Sequence, residues 1–334
     1  MKSILQKLAS YQVLTREEAR NALLQIGRGE VSQSHMTAFL TIYMMRSITL
    51  DELAGFADAL LELCIQVPFP RDEIMDLCGT GGDGKDTFNI STAATFIVAA
   101  AGQKVAKHGN YGISSICGSS TVMEFLGARF SAELSILKDQ MEASGLCFLH
   151  APLFHPAMKH VGPIRRELGL KTFFNMLGPL VNPALPTKQL TGVFNLELAR
   201  MYGYLGQASG RSLTIVHDLK GYDEVSLTGP VKVISSEKDI VVSPEEIGFE
   251  CLEENSIAGG QTVEESAKIL TNVLQNQGTK AQTAVVLANA GLALSLSGDP
   301  EKWKLGIDKA RHALESGLAW KTFQTFFSNQ PKAA

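Results

Sequence analysis

The chain has 334 residues, 45% of them hydrophobic and 19% charged, and a formal net charge of −4. This is the length and composition of a globular protein with room for more than one domain, and the charge excludes a global basic field for nucleic acid or an anionic membrane while leaving local cations for a small phosphate ester. The longest apolar candidate, residues 92–101, is far short of the ~18 residues of a membrane span, and Met1-Lys2-Ser3-Ile4-Leu5-Gln6-Lys7 lacks the apolar core of a secretory signal, so a cytoplasmic protein with no membrane partner is expected.

Residues 1–66 read as a small all-helical domain. Thr15 and Glu18 have capping-box spacing, and residues 21–26 run to Gly27 and Gly29. Residues 32–45 form a second helical run. Thr49 and Glu52 open a third, with Leu53, Phe56, Ala57, Leu60, Leu61 and Cys64 on one face at helical period. Val67-Pro68-Phe69-Pro70 breaks the pattern as a linker. From 70 to 334, short apolar runs alternate with Gly-rich turns and amphipathic stretches. This predicts a larger α/β domain with a largely parallel central sheet flanked by helices. Strands are expected at 74–78, 104–106, 146–149, 190–194 and 213–217, and helices at 90–101, 120–126, 262–276, 279–296 and 300–316. Val225-Ser226-Leu227, residues 231–234 and residues 240–242 predict a local β-element. Cys64, Cys78, Cys117, Cys147 and Cys251 are scattered and odd in number, without metal or redox spacing. They read as buried thiols of a reducing cytosol.

The most informative stretch is Asp76-Leu77-Cys78-Gly79-Thr80-Gly81-Gly82-Asp83-Gly84-Lys85-Asp86-Thr87-Phe88-Asn89-Ile90-Ser91-Thr92. Three glycines within 79–82, directly after a strand, let the backbone approach a bulky anion. The following helix points its N–H groups and positive dipole end at that anion, and Asn89, Ser91 and Thr92 add side-chain donors. Three readings stand side by side: a tight turn with Asn89 or Ser91 as cap, a Walker loop, and a cradle for a sugar phosphate or diphosphate. Asp86 stands where a Walker loop needs Ser or Thr, and its carboxylate would repel phosphate.

Lys107-His108-Gly109-Asn110, after the second predicted strand, continuing to Ser119-Ser120, gathers a cation, an imidazole, an amide and hydroxyls on a connection of the kind that lines the crevice of an α/β sheet. Further on lie Arg165-Arg166 before Gly169, and Phe174-Asn175-Met176-Leu177-Gly178-Pro179-Leu180-Val181-Asn182-Pro183. Asp223-Glu224 is the third element. Alone such a pair is an ordinary solvated turn; beside a phosphate cradle it can hold Mg²⁺, which takes one or two carboxylates plus substrate oxygens and water.

In order and spacing, Gly79–Asp83, Asn89-Ile90-Ser91-Thr92-Ala93, Lys107–Asn110, residues 174–183 and Asp223-Glu224 resemble the anthranilate phosphoribosyltransferase family, collinearly from about residue 1 to 325. The resemblance implies transfer of a phosphoribosyl group from phosphoribosyl diphosphate to anthranilate in tryptophan biosynthesis. It implies an active site between the two domains, a homodimer joined through the helical domain, and a hinge with an additional helix of that domain near 165–183. It assigns Gly79, Thr80, Gly81, Gly82, Asp83, Thr87, Asn89, Ser91, Thr92, Lys107 and Ser119 to phosphoribosyl diphosphate. Gly79, His108, Asn110 and Arg165 go to anthranilate, and Ser91, Asp223 and Glu224 to Mg²⁺. No general base is assigned.

The chain departs from the family where Tyr111 replaces Arg, Ile116-Cys117 replaces Lys-Ser, Thr121 replaces Asp and Lys171 replaces Arg. Lys171 keeps the charge but loses the bidentate fork. A pyrimidine nucleoside phosphorylase shares the domain plan, but the Gly79–Asp83 turn, Arg165 and the acidic pair stand against it. A nucleic-acid-binding relative would need a basic surface, and the net charge and the retained Asn110 and Arg165 oppose that.

Overall fold

In the computed structural model, which describes residues 1–112 and 117–330, helices α1 (Lys2–Ala9), α2 (Arg16–Gly27), α3 (Gln33–Met45) and α4 (Leu50–Leu63) open the chain. The side chains of Thr15, Ser32 and Thr49 each accept a first-turn backbone N–H, and Thr15 with Glu18 and Thr49 with Glu52 complete capping boxes. Each cap is worth about 1 kcal/mol to its helix. Glu52 is buried and accepts from Leu14 N–H and the Tyr43 hydroxyl at 2.9 Å and from Arg46. Burial works against its charge, but the Arg46 guanidinium and the backbone donors outweigh it and hold the carboxyl below its ordinary value.

The chain then builds β1 (Ile74–Gly79), α5 (Ile90–Ala100), β2 (Lys104–Gly109), α6 (Ser119–Phe125), α7 (Leu134–Ser144) and β3 (Leu146–His150). Next come α8 (Ala151–Phe154), α9 (Met158–Leu168) and two 3₁₀ turns, Phe173–Met176 and Gly178–Leu180. Last are β4 (Lys188–Gly192), α10 (Leu196–Ser209), β5 (Ser212–Asp218), β6 (Val231–Ile234), β7 (Asp239–Val242), α11 (Val263–Leu274), α12 (Lys280–Ser295), α13 (Pro300–Glu315) and α14 (Leu318–Ser328).

Two compact units result: residues 1–67 with 151–185, and residues 68–150 with those from 186 onward. The part of the expected 70–334 domain that groups with the helical unit is thus the whole of 151–185, wider than the additional helix expected near 165–183. The 151–185 excursion belongs to the helical unit because its apolar groups complete that core. Phe173 stacks on Phe56 at 4.4 Å and meets Phe39 and Tyr43 edge-on, each such pair adding about 0.5–1.5 kcal/mol beyond burial. Backbone bonds from Ile65 to Phe154 and from Val67 to Pro183 tie it further. The chain passes between units at 67–68, 150–151 and 185–186, so the 165–183 stretch lies within the helical unit.

The α/β unit carries a seven-stranded sheet in the order β3-β2-β1-β4-β5-β6-β7. β1 to β5 are parallel and β6 and β7 add an antiparallel edge. The apolar helix α5 has nine buried residues, as expected of a helix hydrophobic all round. Among the described residues no single helix is long and apolar enough to cross a membrane. The strand expected at 225–227 does not form: Leu227 has φ +59°, outside the extended region, and the Ser226 hydroxyl bonds Asp218 and Thr228 in a tight polar turn. The cysteines are free thiols, but only Cys147 is fully buried and Cys251 is exposed, correcting the expectation of five buried thiols.

Candidate active site

Strand order reverses between β1 and β4, and in an open α/β sheet the ligand crevice lies at the carboxyl ends of such a pair. The last residues of these strands, Gly79 and Gly192, are register partners, and Thr80 N–H donates to Gly192 O at 2.9 Å. Both must be glycine because the loop after β5 presses against them. A Cβ at 79 would stand 2.5 Å from Asp223 Oδ2, and one at 192 would stand 1.4 Å from the Asp223 carbonyl oxygen. Beyond this contact the chain turns through Gly81 and Gly82 at φ +62° and +79°. Among the described residues an added Cβ at Gly81 would meet nothing within 4 Å, so this part of the loop leaves space for a ligand to approach.

The acidic pair docks on the loop. Asp223 Oδ2 accepts from Gly81 N–H at 2.7 Å, and Glu224 Oε1 accepts from Ser91 N–H at 3.0 Å. Asp83 Oδ2 accepts from Asp223 N–H at 3.4 Å. The N–H groups expected to face the phosphate are thus engaged by carboxylates, since a desolvated carboxylate needs such donors. Burial and the nearby Asp83 charge push the Asp223 carboxyl up to about 7. Burial and Asp223 raise Glu224 well above its ordinary value. Carboxylates crowded this way gain from a cation. Among the described residues no three His, Cys, Asp or Glu side chains converge as a closed metal cage. The pair instead offers two carboxylates, which suits a hard divalent ion completing its shell with substrate oxygens and water. Thr80 Oγ1 and Asn89 Oδ1 are buried with no hydrogen-bond partner among the described residues, so the cradle holds polar atoms that a phosphoryl–metal ligand would satisfy.

Lys107 is buried in β2. Its Nζ donates to Leu77 O at 2.5 Å and lies 3.5 Å from Ser91 Oγ, so it underpins the cradle from below rather than extending as a surface arm. Burial, opposed by the Asp76 charge, lowers its pKa. Asn89 caps α5 by position without a side-chain cap bond, donating instead to Cys117 O at 2.9 Å. Thr92 is buried in the first turn of α5, and Thr87 pairs with Ala258. Lys85 is bound to Glu254 at 3.2 Å and lies over the Tyr222 ring, unlike a Walker lysine. His108 N–H donates to Asp76 Oδ1 at 3.1 Å. The exposed Asn110 accepts on Oδ1 from Tyr111 N–H at 2.8 Å and on its carbonyl from Ser119 Oγ at 3.3 Å.

In the helical unit, Arg165 is partly buried at the end of α9, donates to Asn175 Oδ1 at 3.2 Å and lies over Phe174. Desolvation lowers its pKa, and no carboxylate among the described residues pairs with it, which leaves the guanidinium able to take an anion. Arg166 is exposed. Of the departures, Tyr111 donates to Glu124 at 2.9 Å and meets His150 edge-on. Cys117 accepts from Asn89 through its backbone. Ile116 lies outside the described residues, and nothing in the structure explains Thr121 or Lys171. Sequence reasoning missed Gly192 and Asn289, which line the same cavity as Ser91, Asp223 and Glu224. The available signals were a glycine in the middle of a predicted strand and a lone amide inside the apolar run Val285 to Ala293.

Residues 71–320 match the model described as "Glycosyl transferase family, a/b domain", and residues 2–64 match "Glycosyl transferase family, helical bundle domain". A curated anthranilate phosphoribosyltransferase of Flavobacterium johnsoniae is 55% identical over 326 residues, covering 97% of this chain and 98% of that protein. The crystal structure of anthranilate phosphoribosyltransferase from Thermus thermophilus aligns with TM-score 0.90 at 34% identity, over 97% of this chain and 98% of that one. The Saccharomyces cerevisiae enzyme in complex with PRPP and Mg aligns with TM-score 0.89 at 31% identity, over 98% of this chain and 96% of that one.

Proposed function

The chain belongs to the anthranilate phosphoribosyltransferase family, and on that premise we propose that it transfers the 5-phosphoribosyl group of phosphoribosyl diphosphate (PRPP) to the amine of anthranilate, giving N-(5-phosphoribosyl)anthranilate and diphosphate in tryptophan biosynthesis. The observation that carries this reading is the Asp223-Glu224 pair seated on the Gly81 and Ser91 N–H groups at the β1–β4 switch point.

Asp223, Glu224 and Ser91 are the Mg²⁺ residues. The loop from Gly79 to Asp83, with Thr87, Asn89, Ser91, Thr92, Lys107 and Ser119, holds PRPP. Gly79, His108, Asn110 and Arg165 serve anthranilate. Mg²⁺, when bound, supplies Lewis-acid neutralisation of the charge on the departing diphosphate. With the N–H groups of Thr80, Gly81 and Ser91 already engaged, the positive end of α5 and the remaining N–H groups of the glycine loop orient the diphosphate oxygens. Arg165 aligns the anthranilate carboxylate by a charge-assisted bond. The C1–O bond breaks with its electron pair going to diphosphate, and the aromatic amine, uncharged near neutral pH, forms the C–N bond. Its proton passes to water, so no side chain acts as general base, and catalysis rests on positioning. The same reading makes the protein a cytoplasmic homodimer, with exposed apolar groups of the helical unit such as Tyr11 and Met45 as candidates for burial on association.

The test is loss of anthranilate fluorescence on mixing the protein with PRPP and Mg²⁺. Fluorescence that stays constant, with phosphorolysis of thymidine or uridine in its place, would assign the chain to the phosphorylase relatives. A mobility shift of nucleic acid at physiological salt without transferase activity would assign it to a binding role.

A further inference from the structure

The acidic pair is followed by Val225, a buried residue on a loop outside the seven strands. Its backbone is nevertheless paired. Val225 N–H donates to Asn289 Oδ1 at 3.1 Å, and Asn289 Nδ2 donates to Val225 O at 2.8 Å. The remaining amide hydrogen goes to Val285 O at 2.8 Å, one turn back in α12. Both amide hydrogens and the oxygen of this buried side chain are therefore engaged, two of the three bonds going to both polar groups of a single residue. The arrangement imitates a strand pair, with a side-chain amide in place of the neighbouring strand. It rests on α12, a sixteen-residue helix with nine buried residues, so its anchor is rigid.

From the other side Gly192 admits the backbone of Asp223, whose carbonyl oxygen would lie 1.4 Å from any Cβ there. We propose that Asn289 is a positioning residue for the metal-binding pair: by clamping Val225 from α12 while Gly192 seats Asp223, it presets the Asp223 and Glu224 carboxylates for a divalent cation carried with diphosphate. The proposal rests on the reading of Asp223 and Glu224 as Mg²⁺ residues. Groups that orient metal ligands from behind shape affinity almost as strongly as the ligands themselves.

The experiment uses Mn²⁺ as a spectroscopic stand-in for Mg²⁺, with PRPP present and no anthranilate, and reads bound Mn²⁺ by electron paramagnetic resonance on the full chain. Asn289→Ala is expected to weaken Mn²⁺ binding about 10- to 100-fold in protein that still melts cooperatively. Unchanged binding in folded variant, with only a lower melting temperature, would overturn the proposal and leave Asn289 a purely structural amide. Amide exchange of Val225 in the unaltered protein gives a second reading that needs no variant. A preset loop is protected equally with and without Mn²⁺ and PRPP. Protection that appears only on binding would mean that the ligand orders the loop, and the proposal fails. If the unaltered protein binds no Mn²⁺ with PRPP, the metal reading of Asp223 and Glu224 itself fails and takes this inference with it, whereas binding by the unaltered protein that Asn289→Ala leaves unchanged overturns the role of Asn289 alone.

Discussion

Two glycines of the same loop are expected to fail in different ways when given a side chain. In Gly79→Ala the new Cβ would lie 2.5 Å from Asp223 Oδ2, against ~3.5–4.0 Å for an ordinary contact, so the carboxylate must retreat by roughly 1 Å. A misplacement of that size at a reacting centre costs about 100-fold in rate, or about 2.7 kcal/mol of barrier at 1.36 kcal/mol per decade. In Gly81→Ala the side chain meets no atom of the described residues within 4 Å, but φ is +62°. The cost there is backbone strain of ~1–2 kcal/mol and obstruction of the open face. Steady-state rates over a Mg²⁺ titration and a PRPP titration separate the two. Gly79→Ala should require more Mg²⁺ and lose kcat, whereas Gly81→Ala should raise the PRPP KM with a normal Mg²⁺ requirement. A Gly79→Ala enzyme with normal Mg²⁺ dependence would refute the argument that residue 79 is glycine to seat Asp223.

Asp223→Asn with Glu224→Gln should abolish most turnover while leaving the melting temperature at pH 7.5 unchanged or higher, because the amides keep the acceptor oxygens and remove crowded charge; activity and stability falling in parallel would instead mark the pair as a structural turn. Arg165→Ala should raise the anthranilate KM by about 10- to 150-fold, from the ~1.5–3 kcal/mol of a lost charged partner, with the PRPP KM nearly constant and the exposed Arg166→Ala close to normal. Equal loss for both substrates would make Arg165 a folding residue. His155, buried in the helical unit, has its pKa lowered by desolvation from 6.5 to about 4, partly offset by the imidazole's interaction with the Val181 backbone carbonyl. The unfolded chain therefore binds a proton that the folded state refuses as pH falls from about 6.5 to about 4, and stability is lost across that window by up to about 3 kcal/mol. Melting curves of the protein and of His155→Leu between pH 7 and 4 should diverge accordingly, and identical pH slopes would contradict it.

Much of this protein follows from short-range rules. Thr15, Ser32 and Thr49 stand where helices start, and the helical period of residues 53–64 marks the face that α4 buries. Glycines directly after an apolar run announce a close-approach turn, and the five parallel strands fall within a few residues of their apolar runs. These features are legible because caps, periodicity and turn chemistry act between residues a few positions apart. Helices α7, α10 and α14 escaped the same patterns, and the expected strand at 225–227 is a turn that its composition conceals.

What the tertiary structure alone decided concerns pairs distant in sequence. The Gly81–Asp223 bond spans 142 positions and the Ser91–Glu224 bond 133, and no local pattern encodes them. For that reason the sequence identified Gly79 as an anion-cradle residue, while the fold reveals that its missing side chain makes room for a carboxylate. Lys107 looked like a loop cation and is a buried strut, because the strand extends to Gly109 and carries it inside. Residues 151–185 rejoin the helical unit for the same physical reason. Burying Phe173 against Phe39, Tyr43 and Phe56 is favourable wherever it lies in the chain, and only packing determines which surface it covers.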